Sequence, residues 1–168
     1  NLEIRKIFEE QILMWFQEDS RKDPAKLDAF CAAFPAGDAA EAEARFNAYL
    51  SRTISIRDTG ARKGRKENFY HGILLGLLSH REDWLVESNA ESGEGYCDIL
   101  VELLEEEIGI VIEVKYAETG DLQAGCTEAL AQIDEKGYEG RLIEDGMQKI
   151  WKYGIACCRK KCRVAVKE

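Results

Sequence analysis

Apolar residues recur at three-to-four spacing through the first fifty positions, the period of helices with one buried stripe. Ile4, Ile7, Phe8, Ile12, Trp15 and Phe16 form the first such set. Asp23 followed by Pro24 starts a second helix, whose stripe of Leu27, Phe30, Cys31 and Phe34 ends at Pro35 and Gly37. Asp38, with Glu41 three residues on, begins a third that carries Phe46, Tyr49 and Leu50. Helical spacing of this kind is what ordinary packing requires, so these aromatics are assigned to core and the segment is given no chemistry. From about residue 64 the pattern changes to helix, three strands, helix and two strands. Tyr70, Ile73, Leu74, Leu77 and Leu78 give the first of these helices its buried face. Alternation and β-branched content predict strands at 85–90, 96–104 and 108–116, with Ser92, Gly93, Glu94 and Gly95 as turn residues between the first two. Leu122, Cys126, Ala129, Leu130 and Ile133 mark a helix that ends near Gly137, and 150–158 with 162–166 form a closing hairpin.

Composition adds bounds. The chain has 168 residues, 45% of them hydrophobic and 33% charged, which suits one soluble domain. The expected division is a helical lead-in over 1–55 packed on a core domain over 56–168. No run approaches the ~20 apolar residues that span a bilayer, and no secretory signal is visible, so a cytoplasmic protein that avoids membranes is expected. Asn1 stands where an initiating Met is usual, which raises the expectation of a longer parent protein. The six cysteines are read as reduced thiols, because the chain has apolar residues enough to fold without staples. Cys157, Cys158 and Cys162 lack the spacing of a structural zinc site. A net charge of −9 argues against coating nucleic acid by bulk attraction but leaves room for a local basic groove. Arg57, Arg62, Lys63, Arg65 and Lys66 form one basic stretch, and Lys149, Lys152, Arg159, Lys160, Lys161 and Arg163 another.

Candidate chemistry sits on the second and third strands. In IEVKYA (112–117) the period of two puts Glu113 and Lys115 on one face and Ile112, Val114 and Tyr116 on the other. If the connection is centred on Glu105 and Glu106, Asp98 stands directly opposite Glu113 on an antiparallel neighbour. Opposed carboxylates at ~5 Å destabilise a sheet unless something positive lies between them. A hard divalent cation, Mg²⁺ or Mn²⁺, suits that demand. The plainer reading makes Lys115 the counterion and the trio a surface ion-pair network. On the preceding helix, Glu67 and His71 share the stripe of Leu74 and Leu78, so a buried acid there needs a partner, and His71 is read as a satisfied core histidine before a metal ligand.

These residues carry a resemblance. GYCDIL (95–100) followed by IEVKYA (112–117) resembles the D…ExK signature of the PD-(D/E)xK nuclease superfamily, with Tyr96 and Cys97 standing before the Asp where Pro is common. Glu67 in ENFYH and Gln132 in ALAQIDEKGY are similar to the flanking helices of that restriction-endonuclease-like αβββαβ fold, an α/β arrangement of a mixed central sheet between helices. More narrowly, the run from Glu67 to Tyr138 resembles nuclease-like domains at the C-terminus of bacterial AAA-ATPase-like proteins, although no GxxxxGK[ST] stretch is present.

The resemblance implies metal-dependent phosphodiester hydrolysis of nucleic acid, DNA foremost, with an ATPase-like domain as a partner in the parent chain. It implies that Asp98, Glu113 and the Val114 carbonyl hold Mg²⁺ or Mn²⁺ and that Lys115 orients the attacking water or stabilises phosphoryl charge. Glu67 then serves a second metal or its waters, and Gln132 positions the nucleophile or the backbone. The competing class is a nuclease fold kept as a nucleic-acid or protein interaction module without catalysis, which an acidic chain suits.

Overall fold

The computed structural model of the chain describes residues 24–53 and 63–168. The expected first helix and the basic Arg57 and Arg62 lie outside the described residues. Helices α1 (Pro24–Ala33) and α2 (Ala39–Thr53) start where the sequence signals place them, and α1 ends before Pro35 as expected. Pro24 opens α1, and the Asp38 carboxylate accepts the Glu41 N–H at 3.0 Å, satisfying a donor that the first turn of α2 leaves unpaired. Helix α3 (Lys63–Leu78) follows, then strands β1 (Leu85–Ser92), β2 (Gly95–Leu103) and β3 (Ile108–Tyr116), helix α4 (Leu122–Lys136), the single turn α5 (Gly140–Glu144), and strands β4 (Lys149–Cys158) and β5 (Lys161–Lys167). The predicted order of elements is therefore the observed one, with two differences. Ser92 and Gly95 are strand ends, so the turn is only Gly93 and Glu94. Helix α5 was not expected, because one turn is too short to display an apolar period.

The five strands form one mixed sheet in the order β1-β2-β3-β4-β5, antiparallel except for the parallel pair β3 and β4. A parallel pair needs a crossover, and α4 supplies it. Asp121 caps the start of α4 by accepting the Ala124 N–H at 3.0 Å, and Gly137, at φ 62°, takes the left-handed conformation that ends it.

Helices cover both faces, which makes the sheet an α/β core of the restriction-endonuclease-like kind. On one face α1, α2 and α3 pack Phe30, Phe34, Phe46, Leu50, Ile73 and Leu74 against Ile99, Ile110, Ile112, Tyr153 and Ile155. Phe34 lies 4.9 Å from the Tyr153 ring, and the Tyr153 hydroxyl donates to the Phe34 carbonyl at 2.7 Å, which ties the N-terminal helices to the middle of β4. On the other face a smaller cluster of Leu100, Val111, Ile133, Tyr138, Leu142 and Met147 seats α4 and α5. Burial on both sides explains why IGIVI in β3 reads as a continuous apolar run.

Close approach of α4 to β4 depends on small residues. A Cβ at Gly154 would stand 2.7 Å from the Cys126 carbonyl oxygen, and one at Gly125 would stand 2.7 Å from the Ala156 Cβ. The axis of α4 thereby sits near enough to the sheet for its polar side chains to reach β3.

All six cysteines are free thiols. Burial pushes Cys31 up to about 12, as expected of inert core thiols. Among the described residues no helix is long and apolar enough to cross a membrane.

Candidate active site

The β2–β3 ladder has the expected register, pairing Ile99 with Ile112 and Leu103 with Ile108. One step beyond the Ile99–Ile112 rung stand Asp98 and Glu113, and there the backbone pairing gives way to side chains. The Asp98 N–H donates to Glu113 Oε1 at 2.9 Å, and the Val114 N–H donates to Asp98 Oδ2 at 2.8 Å. Each carboxylate thus satisfies a backbone donor on the opposite strand. The neighbouring β1–β2 ladder breaks at the same level. Ser88 pairs with Ile99 and Ala90 with Cys97, while the intervening Asn89 takes φ 51°. Residues two apart on a regular strand share a face, yet Ile99 packs under α3 and Cys97 packs under α4. Asp98 occupies the point where the strand changes face.

Glu113 is 2% exposed, and Asp98 is half-buried. Burial first, and then the Asp98 charge, push the Glu113 carboxyl up to about 8. At neutral pH the pair therefore retains a proton unless another cation takes its place.

Lys115 is not that cation. Its Nζ donates to Gln132 Oε1 at 2.6 Å and lies 3.9 Å from Glu128, and among the described residues it forms no ion pair with Asp98 or Glu113. The plainer reading therefore has no direct ion pair among the described residues, although the Lys115 charge still opposes the rise of the Glu113 carboxyl. Gln132 completes a relay from α4, its Nε2 donating to Glu113 Oε2 at 3.2 Å and to the Tyr138 hydroxyl at 3.3 Å.

The five residues singled out from the sequence do not all meet. Asp98, Glu113, Lys115 and Gln132 are joined by direct hydrogen bonds or through Val114. Glu67 stands to one side, its Oε1 accepting the Tyr116 N–H at 3.3 Å, next to Lys115 in the chain but bonded to neither carboxylate. His71 is buried and lies 3.0 Å from the Ser88 hydroxyl through Nε2, as a satisfied core histidine should. Two neighbours of the site were not anticipated. Glu128 precedes Gln132 by four residues on α4, a spacing legible in hindsight. Tyr138 follows the end of that helix and had no local signal.

A family model for the PD-(D/E)XK nuclease superfamily matches residues 65–167. The chain belongs to that superfamily. No curated protein matches it. The matched segment runs from α3 to β5, and so leaves α1 and α2 outside it.

Divalent cations are the metals that PD-(D/E)XK nucleases use, and the donor set can be tested against that demand. Among the described residues no three His, Cys, Asp or Glu side chains gather as a metal cage. Mg²⁺ does not need one, since it keeps several waters and takes one or two carboxylates. Asp98 and Glu113 with the backbone at Val114 fit a cation of this type. Thiol or imidazole metals find no matching donors here, because Cys97 is a buried thiol pushed up to about 12 by burial and by Glu113.

Proposed function

We propose that the chain is a divalent-metal-dependent nuclease that hydrolyses phosphodiester bonds of nucleic acid, with DNA as the favoured substrate. The observation that carries this reading is the opposition of Asp98 to Glu113 while the nearby ammonium of Lys115 is directed to Gln132. A scaffold has no use for a buried carboxylate that repels its partner; a cation site does.

In this reading Asp98, Glu113 and the Val114 carbonyl hold Mg²⁺ or Mn²⁺. When bound, the cation supplies Lewis-acid stabilisation of phosphoryl charge and a more acidic water. Lys115, held by Gln132, presents its ammonium where charge develops on the phosphoryl group or where the attacking water must be oriented. Gln132 positions both Lys115 and Glu113, so it acts through them. Glu67 fixes the backbone at Tyr116, and a second cation or its waters would draw on its remaining oxygen. The resemblance of Glu67–Tyr138 to domains carried by AAA-ATPase-like proteins supports an ATPase-like partner domain and a cytoplasmic bacterial setting within the same proposal.

The test is cleavage of duplex and single-stranded DNA and of RNA by the purified chain in Mg²⁺, Mn²⁺ or EDTA. Cleavage is expected only with a divalent cation and is lost in folded Glu113→Ala and Glu113→Gln. Activity that persists in both folded variants overturns the assignment. Nucleic-acid binding without cleavage in any cation makes the chain an interaction module instead.

A further inference from the structure

The second basic stretch of the sequence does not survive as a unit in the fold. Lys149 and Lys152, at the start of β4, are committed to acids: Lys149 to Glu168 at 3.4 Å, and Lys152 to Asp134 at 3.2 Å and Glu139 at 3.6 Å. Arg159, Lys160 and Lys161 lie at the opposite end, in and beside the β4–β5 turn. Among the described residues none of these three forms an ion pair, and Arg159 and Lys161 are exposed.

The turn is also where Lys66, the last residue of the first basic stretch, comes close. The Tyr70 hydroxyl on α3 donates to the Arg159 carbonyl, fixing a turn residue held at φ 54°. The rings of Tyr70 and Tyr116 stack at 6.1 Å, and Lys66, one helical turn before Tyr70, sits with its Nζ 4.7 Å from the Tyr116 ring centroid. Lys66 therefore joins Arg159, Lys160 and Lys161 on one rim, although nearly a hundred residues separate them in the chain.

That rim is at the catalytic end of the sheet. Glu113 pairs with Gly154, and β4 then runs in parallel with β3 towards the turn. At ~3.3 Å per residue, Arg159 lies roughly 16 Å along the strands from the level of Glu113. Phosphates on one strand of a duplex advance by ~3.4 Å each, so the distance corresponds to about five phosphates. In a chain of net charge −9, a rim of four cations that form no ion pair among the described residues is the place a polyanion can approach.

We infer that the nucleic-acid backbone leaves the Asp98–Glu113 site across the β4–β5 turn, with its phosphates held by Lys66, Arg159, Lys160 and Lys161. The inference rests on the nuclease reading for the end of the track that lies at Asp98 and Glu113. Contacts of this kind position the strand without reading its sequence.

The test is binding of the wild-type chain, in EDTA so that nothing is cut, followed by fluorescence anisotropy. Three fluorescein-labelled probes serve: a DNA duplex of about two helical turns, one of its strands alone, and the RNA of that strand. Binding is measured across salt from about 50 to 200 mM. The variant Arg159→Gln/Lys160→Gln/Lys161→Gln should weaken binding at least tenfold and reduce the salt slope by about two to three on duplex, since each phosphate contact contributes ~0.9. Lys66→Gln, which leaves the turn intact, should reduce it by nearly one. Lys149→Gln/Lys167→Gln removes charge from the opposite end and should leave the slope unchanged. The probe that shows these losses identifies the form of nucleic acid held. An unchanged slope in the turn variant and in Lys66→Gln overturns the track, as does an equal loss in the opposite-end control or failure of the wild type to bind any probe. Cleavage in Mg²⁺, measured in parallel, separates the two claims. Cleavage with unaltered slopes sinks the track alone, and track-dependent binding without cleavage sinks the nuclease assignment alone.

Discussion

Lys115 and Gln132 are joined by a 2.6 Å hydrogen bond from the ammonium to the amide oxygen, although one belongs to β3 and the other to the crossover helix α4. The same amide uses its nitrogen to reach Glu113 at 3.2 Å. One neutral side chain therefore sets both the acid and the base of the ExK pair, and it does so without neutralising either.

Replacing Lys115 with Met separates a chemical role from a structural one. The variant should keep the rise in melting temperature that Mn²⁺ produces, because no cation ligand is lost, while turnover falls by ~10² or more. Unaltered turnover in the presence of a retained metal shift would mean that the ammonium only fills space beside α4.

The pH dependence follows from Glu113. Its carboxyl is raised from an ordinary 4.5 to about 8 by burial and then by Asp98. A group raised in the folded state contributes stability that is fully present below its unfolded value and is lost as pH climbs through the folded value. The metal-free chain should therefore lose stability between about pH 4.5 and 8, and Glu113→Gln, which keeps an oxygen for the Asp98 N–H, should not share that loss. Glu102, buried near the other end of β2, is also raised, to about 7, by burial and by Asp145, but it is common to both proteins and cancels in the comparison. Melting curves in EDTA at pH 5 and pH 9 should show the variant gaining on wild type as pH rises. Mg²⁺ at a hundredfold excess over its dissociation constant should stabilise the wild type by ~2.7 kcal/mol, and do nothing for the variant. Parallel curves for the two proteins, both insensitive to cation, would return the site to an ion-pair network.

Much of this was legible before the fold was known. Period two alone places Glu113 and Lys115 on one face, and the acidic connection at Glu105 and Glu106 suffices to set Asp98 opposite Glu113. The helical stripe shows that Glu67 faces the sheet, but not that it meets the Tyr116 N–H, because a stripe carries direction and no partner. The positive φ at Asn89, beside Asp98, had no signal, because Asn tolerates that conformation in many settings. The run of basic residues from Lys149 to Arg163 looked like one patch, because sequence does not show that ten residues of strand carry its two halves to opposite ends of the sheet.

Gly154 offers a test of how the site is held. Its replacement by Ala drives a Cβ to 2.7 Å from the Cys126 carbonyl and 3.1 Å from the Ala129 Cβ, which should cost about 1–3 kcal/mol and push α4 outward. Gln132 sits on that helix, so turnover measured well below the melting temperature should fall as well. Gly140→Ala, whose new Cβ meets nothing nearer than 3.9 Å, should leave turnover as it was. A Gly154→Ala protein that melts early yet cuts normally would show that the Gln132 relay tolerates a displaced helix.

The direct contacts that join Asp98, Val114, Glu113, Lys115 and Gln132 span only 15 to 19 residues of chain. The parallel pairing of β3 with β4 spans far more, since Ile108 meets Lys149 only after α4 has been passed. Short loops cost less conformational entropy to close than long ones. The side-chain cluster is thus built from near neighbours in the chain, and the long-range pairing bears on it through Gly154, where β4 sets how closely α4 can approach.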